Sequence, residues 1–240
     1  KSARKIDFTN YKDAKKLKNL DVIIILAAQT GVNESNLYPD ISIKKNIYAV
    51  SNVMRSAYLN NIKKVIFAST AGAIYGNLNK KFIEESNKDP ESYYGLTKDI
   101  GERIVYYHTK KHKINSIILR FSNLYGPYSS HKTNLIHNLI KNKINNKTTN
   151  IYGDGNQTRD FIYIKDVCKI IEKMLLNFRK FEGTLNISGG NSLSVKQIIN
   201  TISKIDNNKL KIKYCPKKEN EIYKTSISNR KLLKKINYPI

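Results

Sequence analysis

Residues 91–100, ESYYGLTKDI, set a phenol and an ammonium one helical turn apart: Tyr94 and Lys98 stand at i and i+4, which places them on one face of a helix. A phenol beside a cation is a candidate proton carrier, because the positive charge favours the phenolate and draws its pKa down from about 10. Tyr93 has no such partner, since Thr97 stands four after it. Spacing alone selects nothing. The chain has 16 tyrosines and abundant lysine, and the interval recurs at Tyr11/Lys15, Tyr106/Lys110, Tyr107/Lys111 and Tyr214/Lys218. The elements around each pair must decide.

Short apolar runs supply those elements. VIIILA at 22–27 is β-branched and apolar on both faces, as a strand inside a parallel sheet requires. KVIFAST at 64–70 and INSIILRFSNLYG at 114–126 read the same way. Between the first two, Ile47, Val50, Met54, Ala57 and Tyr58 recur at helical spacing within 43–61. Between the second and third, Leu96, Ile100, Ile104, Tyr107 and His108 fall on one helical stripe. Strands alternating with helices of these lengths predict an α/β fold of right-handed βαβ units, a doubly wound parallel sheet. Ligands bind beyond the carboxyl ends of such strands. Those ends are Ala27-Ala28-Gln29-Thr30, Ser69-Thr70-Ala71-Gly72 and Phe121-Ser122-Asn123, expected to line one cleft. Of the Tyr/Lys pairs, only Tyr94/Lys98 follows a second strand and its Ser69-Thr70 turn and then opens the next helix. After about residue 122 the pattern is less regular, with a helix near 133–143, the polar stretch NNKTTN, and FIYI or TLNISG as places where the chain could return to the sheet.

Composition narrows the function. At 240 residues and 40% hydrophobic, the chain is long enough to bury a substantial core. Its longest apolar run, 22–28, is too short to span a bilayer, and the first residues carry no secretory h-region, so no membrane association is expected. Cys168 and Cys215 lie far apart without a partner motif, as in a reducing, cytoplasmic compartment. The net charge of +24 would suit nucleic acid, but only seven of the 43 basic residues are arginine and the lysines are scattered, so no nucleic-acid partner is expected. Attraction to a phosphorylated small molecule remains compatible with that charge. His108 and His112 are spaced i, i+4 but lack a third ligand, so no metal site is expected. GDG at 153–155 reads as a turn.

Five strings in order, LAAQ (26–29), ASTAGAIYG (68–76), SYYGLTK (92–98), LRFSNLYGP (119–127) and YGDGNQTRDFIYIKDV (152–167), resemble the extended short-chain dehydrogenase/reductase family, in particular its nucleotide-sugar epimerase/dehydratase branch. The resemblance implies a Rossmann domain holding NAD, here residues 1–122, and a mainly substrate-binding α/β domain at 123–240. It also implies a homodimer formed through the helices at 43–61 and 95–112. The glycine-rich phosphate loop of such folds is not in this sequence, and KIDFTN at 5–10 resembles the third strand of the fold, so the chain reads as a partial record of the domain.

On the same resemblance, Tyr94 is the base and Lys98 its companion and a holder of the nicotinamide ribose. The usual hydroxyl donor falls at Ala71, which has none, leaving Thr70 as the substitute and Ser69 as second choice. Cofactor contacts are implied at Asp7 beside the adenine, at Leu26, Ala27, Ala28, Gln29, Asn46 and Ser69, and at Phe121 near the nicotinamide. Substrate contacts are implied at Asn123 for diphosphate or sugar, at Asn134, Leu135, Ile151 and Tyr152 for base and ribose, and at Arg159 for phosphate, where a planar guanidinium fork suits the task. Lys218 and Glu221 align with a further phosphate and ribose pair, with lysine giving a point charge in place of a fork.

The turn Ala71-Gly72-Ala73 lacks the acidic residues that related dehydratases and decarboxylases carry, so the site is equipped to move a hydride and one proton. That is the requirement of a UDP-hexose 4-epimerase: oxidise C4, let the ketosugar turn, reduce the other face. A ketoreductase or 4,6-dehydratase acting on the same substrate class is the alternative. A noncatalytic dinucleotide sensor is the alternative of another kind, and it would have no need of both Tyr94 and Lys98.

Overall fold

The computed structural model describes residues 6–76, 81–129, 134–205, 210–217 and 224–236. Two compact units emerge: Lys1–Gly76, Glu84–Phe121 and Lys173–Asn186 form the first, and Asn77–Ile83, Ser122–Glu172 and Ile187–Ile240 the second.

The first unit is built on the apolar runs. They form β1 (Ile23–Ile25), β2 (Lys64–Thr70) and β3 (Asn115–Phe121), joined by β7 (Gly183–Ile187) in the order β1-β2-β3-β7. β1 and β2 are parallel, with Ile23 opposite Val65, and β2 and β3 are parallel from Lys64/Asn115 to Thr70/Phe121. Parallel pairing puts the carboxyl ends Ile25, Thr70 and Phe121 on one edge, where ligands of α/β sheets bind. Ile23, Ile25, Val65, Phe67 and Ile118 pack with Val50, Val53, Met54 and Ala57 in one buried cluster.

The helical segment between β1 and β2 comprises α2 (Val32–Leu37), α3 (Pro39–Ile43), a π turn at Lys44–Tyr48 and α4 (Ala49–Leu59). α4 buries Val50, Met54 and Ala57 as its stripe predicts. The next helix, α5 (Tyr93–His112), departs from its stripe. It buries Gly95, Thr97, Lys98, Asp99, Gly101, Glu102 and Val105, while Leu96 and Tyr107 are 42% and 54% exposed. The physical reason lies in close approach and charge. A Cβ on Gly101 would stand 2.7 Å from the Phe67 ring, so only glycine lets α5 lie this near β2. The polar residues on the same face meet buried partners of opposite charge.

Arg120, next to the carboxyl end of β3, is 3% exposed and grips Glu102 with two contacts, Nε to Oε1 at 2.8 Å and Nη2 to Oε2 at 2.7 Å. Its Nη1 donates to the Tyr75 hydroxyl at 2.7 Å and to the Glu84 carbonyl at 2.8 Å. Tyr75 donates on to Asn186 Oδ1 at 2.8 Å, and Asn186 N donates to Glu84 Oε1 at 2.8 Å. Glu102 also accepts from Ser69 Oγ at 2.6 Å and Lys88 Nζ at 2.7 Å, and Lys88 reaches Asp99 at 2.5 Å. One network thus joins α5, β2, β3, β7 and the Tyr75 turn.

The second unit contains β4 (Asn123–Tyr125), α6 (Leu135–Ile144), β5 (Thr149–Tyr152), β6 (Thr158–Tyr163), β8 (Ser192–Ser194), α9 (Val195–Ile205) and β9 (Ile212–Cys215). Its sheets run β4-β6-β8 and β5-β9. Leu139, Ile151, Val195 and Ile198 form its buried cluster. The single run expected at 114–126 breaks at Ser122, whose N–H donates to the Ile187 carbonyl at 3.0 Å, and β4 then pairs with β6. TLNI therefore joins the first sheet and FIYI the second. KIDFTN forms no strand over its described residues. Asp7 instead accepts from Thr9 N and Oγ1 at 2.9 and 2.8 Å, a local turn that leads into Asn10 capping α1 (Tyr11–Ala14).

Removing Arg120 would strand a buried carboxylate. Arg120→Met is expected to cost about 3–5 kcal/mol in urea unfolding at pH 7. Arg120 and Lys88 hold the Glu102 carboxyl below the ordinary range against the upward push of burial. The native stabilisation is therefore present above the unfolded pKa and fades as pH falls through the lower folded value, so the cost of the substitution should shrink below about pH 4.

Candidate active site

Tyr94 owes its position to the first turn of α5. Helix starts leave their first N–H groups without intrahelical acceptors, and here three side chains supply them. Ser92 caps from Gly95 N at 3.1 Å, Asn36 Oδ1 accepts from Tyr93 N at 3.0 Å, and Ser35 Oγ accepts from Tyr94 N at 2.9 Å. A Cβ on Gly95 would stand 2.1 Å from the Ala73 carbonyl, so the turn after β2 rests directly on this helix start. The result sets Thr70, the last residue of β2, beside the Tyr94 hydroxyl, where its own hydroxyl favours the ionised phenol; Thr70 Oγ1 also accepts from Ala73 N at 3.4 Å. Burial pushes the Tyr94 phenol up, and the Thr70 contact partly offsets it. In this surrounding the phenol holds its proton until a cation lies against it.

Lys98, one turn on, is 4% exposed; its Nζ donates to the Ala68 carbonyl at 2.7 Å and lies 5.0 Å from the Phe67 ring centre. Burial pulls its pKa down to about 8, with Glu102 pulling the other way. The ammonium remains mostly charged at neutral pH while sitting close to losing a proton. The two hydroxyls offered by the sequence have different occupations. Thr70 meets Tyr94, whereas Ser69 is committed to Glu102 and to holding β2 against α5. Phe121 ends β3 half-buried, with its carbonyl accepting from Ala71 N at 2.8 Å.

The loop after β1 is fixed by Asn46, inside the π turn and 1% exposed. Its Oδ1 accepts from Gln29 N at 2.8 Å, and its Nδ2 donates to Gln29 O at 3.1 Å and Thr97 Oγ1 at 3.0 Å. The Asn46 amide thus positions the loop and ties it to α5 one turn past Tyr94. Leu26, at 62% exposure, and Ala27 lie open at the strand's carboxyl end, Ala28 is half-buried, and Gln29 keeps a buried Nε2 without a partner. An open strand end, an unsatisfied amide donor and the Tyr94/Thr70/Lys98 group are the residues that would hold the nicotinamide and ribose end of a dinucleotide. Asp7 is exposed, its carboxyl held low by Thr9.

In the second unit, Asn123 is exposed at the start of β4 and donates to the Asp160 carbonyl at 3.0 Å. Asn134 caps α6, accepting from His137 N at 2.9 Å, and Leu135 packs on the unit's core. Ile151 is 3% exposed within that core and pairs with Tyr214 across β5 and β9, while Tyr152 is 38% exposed. Arg159 lies half-buried on β6, with Nη1 donating to its neighbour's carbonyl, Thr158 O, at 2.9 Å. Lys218 and Glu221 lie outside the described residues.

Of the rival pairs, Tyr106 and Tyr107 are exposed and Lys110 stacks on the Tyr106 ring at 4.7 Å, while Lys15 lies 5.5 Å from the Tyr11 ring. Both are surface cation–π pairs. Among the described residues, no group of three potential ligands could hold a metal, and no helix is long and apolar enough to cross a membrane. Residues the sequence reading missed are Ser35, Asn36, Glu102 and Arg120. Arg120 was detectable as a lone cation in an apolar strand, and Glu102 by its i+4 spacing from Lys98. Ser35 and Asn36 carry no local signal.

A parallel α/β sheet with a Tyr/Lys pair at its carboxyl edge defines a Rossmann-type dinucleotide enzyme. Residues 2–188 match the NAD dependent epimerase/dehydratase family, and the chain belongs to that family. It is 32% identical over 217 residues to a putative UDP-glucose 4-epimerase of Methanocaldococcus jannaschii, covering 89% of this chain and 70% of that one. Among solved structures it resembles a UDP-N-acetylglucosamine 4-epimerase from Methanobrevibacter ruminantium, in complex with UDP-N-acetylmuramic acid, at 30% identity and TM-score 0.88 over 95% of this chain and 74% of that one. A UDP-glucuronic acid 4-epimerase from Bacillus cereus, in complex with UDP-glucuronic acid and NAD, matches at 29% identity and TM-score 0.88 over 97% and 74%.

One buried carboxyl in the second unit has a measurable consequence. Asp160 is fully buried, and burial pushes it up to about 6 although Ser122 and the Gly189 and Gly190 N–H groups favour the ionised form. With a folded value above the unfolded one, its stabilising contribution is whole below about pH 4 and lost as pH rises through about 6. Asp160→Asn keeps an acceptor for Gly189 N without the charge. It should flatten that slope and unfold later than the parent at pH 7, by up to about 3 kcal/mol in chemical denaturation, while differing little at pH 4.

Proposed function

We propose that this chain belongs to a nucleotide-sugar 4-epimerase acting on a UDP-hexose. The observation that carries this reading is the Tyr94–Thr70 hydroxyl pair beside a turn of Ala71, Gly72 and Ala73. The nearest carboxylates on α5 are occupied: Glu102 by Arg120, Lys88 and Ser69, and Asp99 by Lys88 and Arg103. No free carboxylate in this turn stands ready to remove a second proton, as a dehydratase would need. The 4-epimerase activities named for the M. jannaschii, M. ruminantium and B. cereus relatives support the same assignment.

When bound, NAD supplies reversible hydride acceptance at the sugar C4. Tyr94 would take the proton from the C4 hydroxyl and give it back when that hydroxyl is re-formed. Thr70 donates to the same oxygen and orients it. Lys98 holds the ribose and contributes positive charge that, with the oxidised nicotinamide, lowers the phenol pKa from the raised value burial gives it. Leu26 to Gln29, Asn46 and Phe121 frame the cofactor, and Asp7 serves the adenine end. Asn123, Asn134, Leu135, Ile151, Tyr152, Arg159, Lys218 and Glu221 serve the nucleotide sugar, with Arg159 gripping phosphate. The unpaired Cys168 and Cys215 support a cytoplasmic setting.

The exposed faces of α4 and α5, with Tyr58 at 48%, Leu96 at 42% and Tyr107 at 54% exposure, support a homodimer through these helices. Sedimentation velocity of Leu96→Glu/Tyr107→Glu should show monomer where the parent shows dimer; an unchanged dimer would place the contact elsewhere.

The enzyme containing this chain should equilibrate UDP-glucose and UDP-galactose without added reductant. Tyr94→Phe should lower kcat at least 100-fold and Thr70→Val about 10- to 100-fold, as loss of a proton carrier and of an orienting hydroxyl require. Ser69→Ala should keep kcat within about threefold and instead lower the melting temperature, because its hydroxyl serves Glu102. Stoichiometric consumption of NADH would mark a reductase, and Tyr94→Phe within tenfold of the parent would remove Tyr94 as the base.

A further inference from the structure

The amino ends of β2 and β3, opposite the edge where chemistry is placed, carry a basic cavity of about 610 Å³. Five cations line it, Lys63, Lys64, Lys113, Arg179 and Lys180, together with two asparagines and Phe178; none of the lining residues is acidic. With 43 basic residues in 240, composition alone would give eight lining residues about one or two cations. Five is well beyond that.

Three separate elements bring these charges together, and β3 borders them with Asn115. Lys64 opens β2 directly across from Asn115, which opens β3. Lys113 ends α5 in a left-handed conformation, φ 52°, which turns the chain back toward the sheet. Arg179 and Lys180 lie in α8 (Phe178–Phe181), just before β7. Phe178 is 4% exposed and forms the floor, with Lys64 Nζ 5.8 Å from its ring centre. A concave surface lined by one sign of charge over an apolar floor focuses the field and concentrates counter-ions. Its volume falls in the range of small-ligand pockets, roughly 300–1,000 Å³.

We propose that this cavity is a second ligand site of the protein, binding an oligophosphate anion of two or three linked phosphates. Several dispersed ammonium groups match such a chain of charges as point contacts, and the Arg179 fork can take one phosphate in two contacts. Phe178 is too buried to stack on a base, so the phosphates are the recognised part, whether free or carried by a nucleoside. Six residue steps along β2 lead from Lys64 to Thr70, about 20 Å along an extended strand, so occupancy here does not compete with the nucleotide sugar.

The test is calorimetric titration of the protein with inorganic tripolyphosphate, compared with sulfate at matched ionic strength. Saturable one-to-one binding of tripolyphosphate is expected, weakened at least tenfold in Lys63→Glu/Arg179→Glu, two exposed positions. It should stay within twofold in Lys165→Glu/Lys213→Glu, which makes the same change in net charge elsewhere. Amide shifts of Lys64, Asn115 and Phe178 in the parent should saturate over the same titration, locating the site without any substitution. Absence of saturable binding, equal weakening in both charge-reversed variants, or shifts confined to residues outside the cavity would overturn the proposal. ATP binding as tripolyphosphate does would identify the phosphate chain as the determinant; ATP binding where tripolyphosphate fails would overturn it.

Discussion

The ion pair between Glu102 and Arg120 organises the first unit. Each is almost fully withdrawn from water, and a buried charge is tolerated only with a well-placed counter-charge and its remaining hydrogen bonds met. Here those bonds are met by groups from every neighbouring element: Ser69 from β2, Lys88 and Glu84 from the segment before α5, Tyr75 from the turn after β2, and Asn186 from β7 through Tyr75. The elements are thereby indexed to one another. α5 cannot slide along β2 by a turn without uncovering a carboxylate, so the Tyr94 and Lys98 positions on that helix are set relative to Thr70 and Ala68.

Much of the first unit was legible in the sequence because parallel strands buried on both faces leave uninterrupted β-branched runs. β2 and the start of β3 are read directly from KVIFAST and INSIIL. The stripe on α5 misled for an identifiable reason. Apolar periodicity assumes that water is excluded by hydrocarbon, whereas this helix packs through glycines and through charges neutralised across the interface. Leu96 and Tyr107, two of the five residues that periodicity assigned to the core, face outward, while Ile104 packs against the buried cluster.

The site was legible at its centre and less so around it. Tyr94, Lys98 and Thr70 follow from their place after a strand and at the opening of a helix. Ser69 and Asn46 are equally polar and equally near in sequence, yet their side chains are spent on Glu102 and on the Gln29 backbone. Which hydroxyl or amide is spent on the protein itself depends on tertiary partners 17 to 33 residues away, beyond any local pattern. Over its described residues KIDFTN is a turn, closed by Asn10 N donating to the Asp7 carbonyl and by Asp7 Oδ1 accepting from Thr9, side-chain chemistry that a strand pattern does not register.

The glycines that let α5 touch the sheet also decide what moves. Gly95 against the Ala73 carbonyl and Gly101 against the Phe67 ring leave no clearance for the helix to rock or for its first turn to lift. A phenol mounted on such a helix is a stationary post, its backbone N–H tied to Ser35 Oγ. In any reaction that must deliver hydride to both faces of one carbon, the turning is then done by the small molecule, and the protein contributes by standing still.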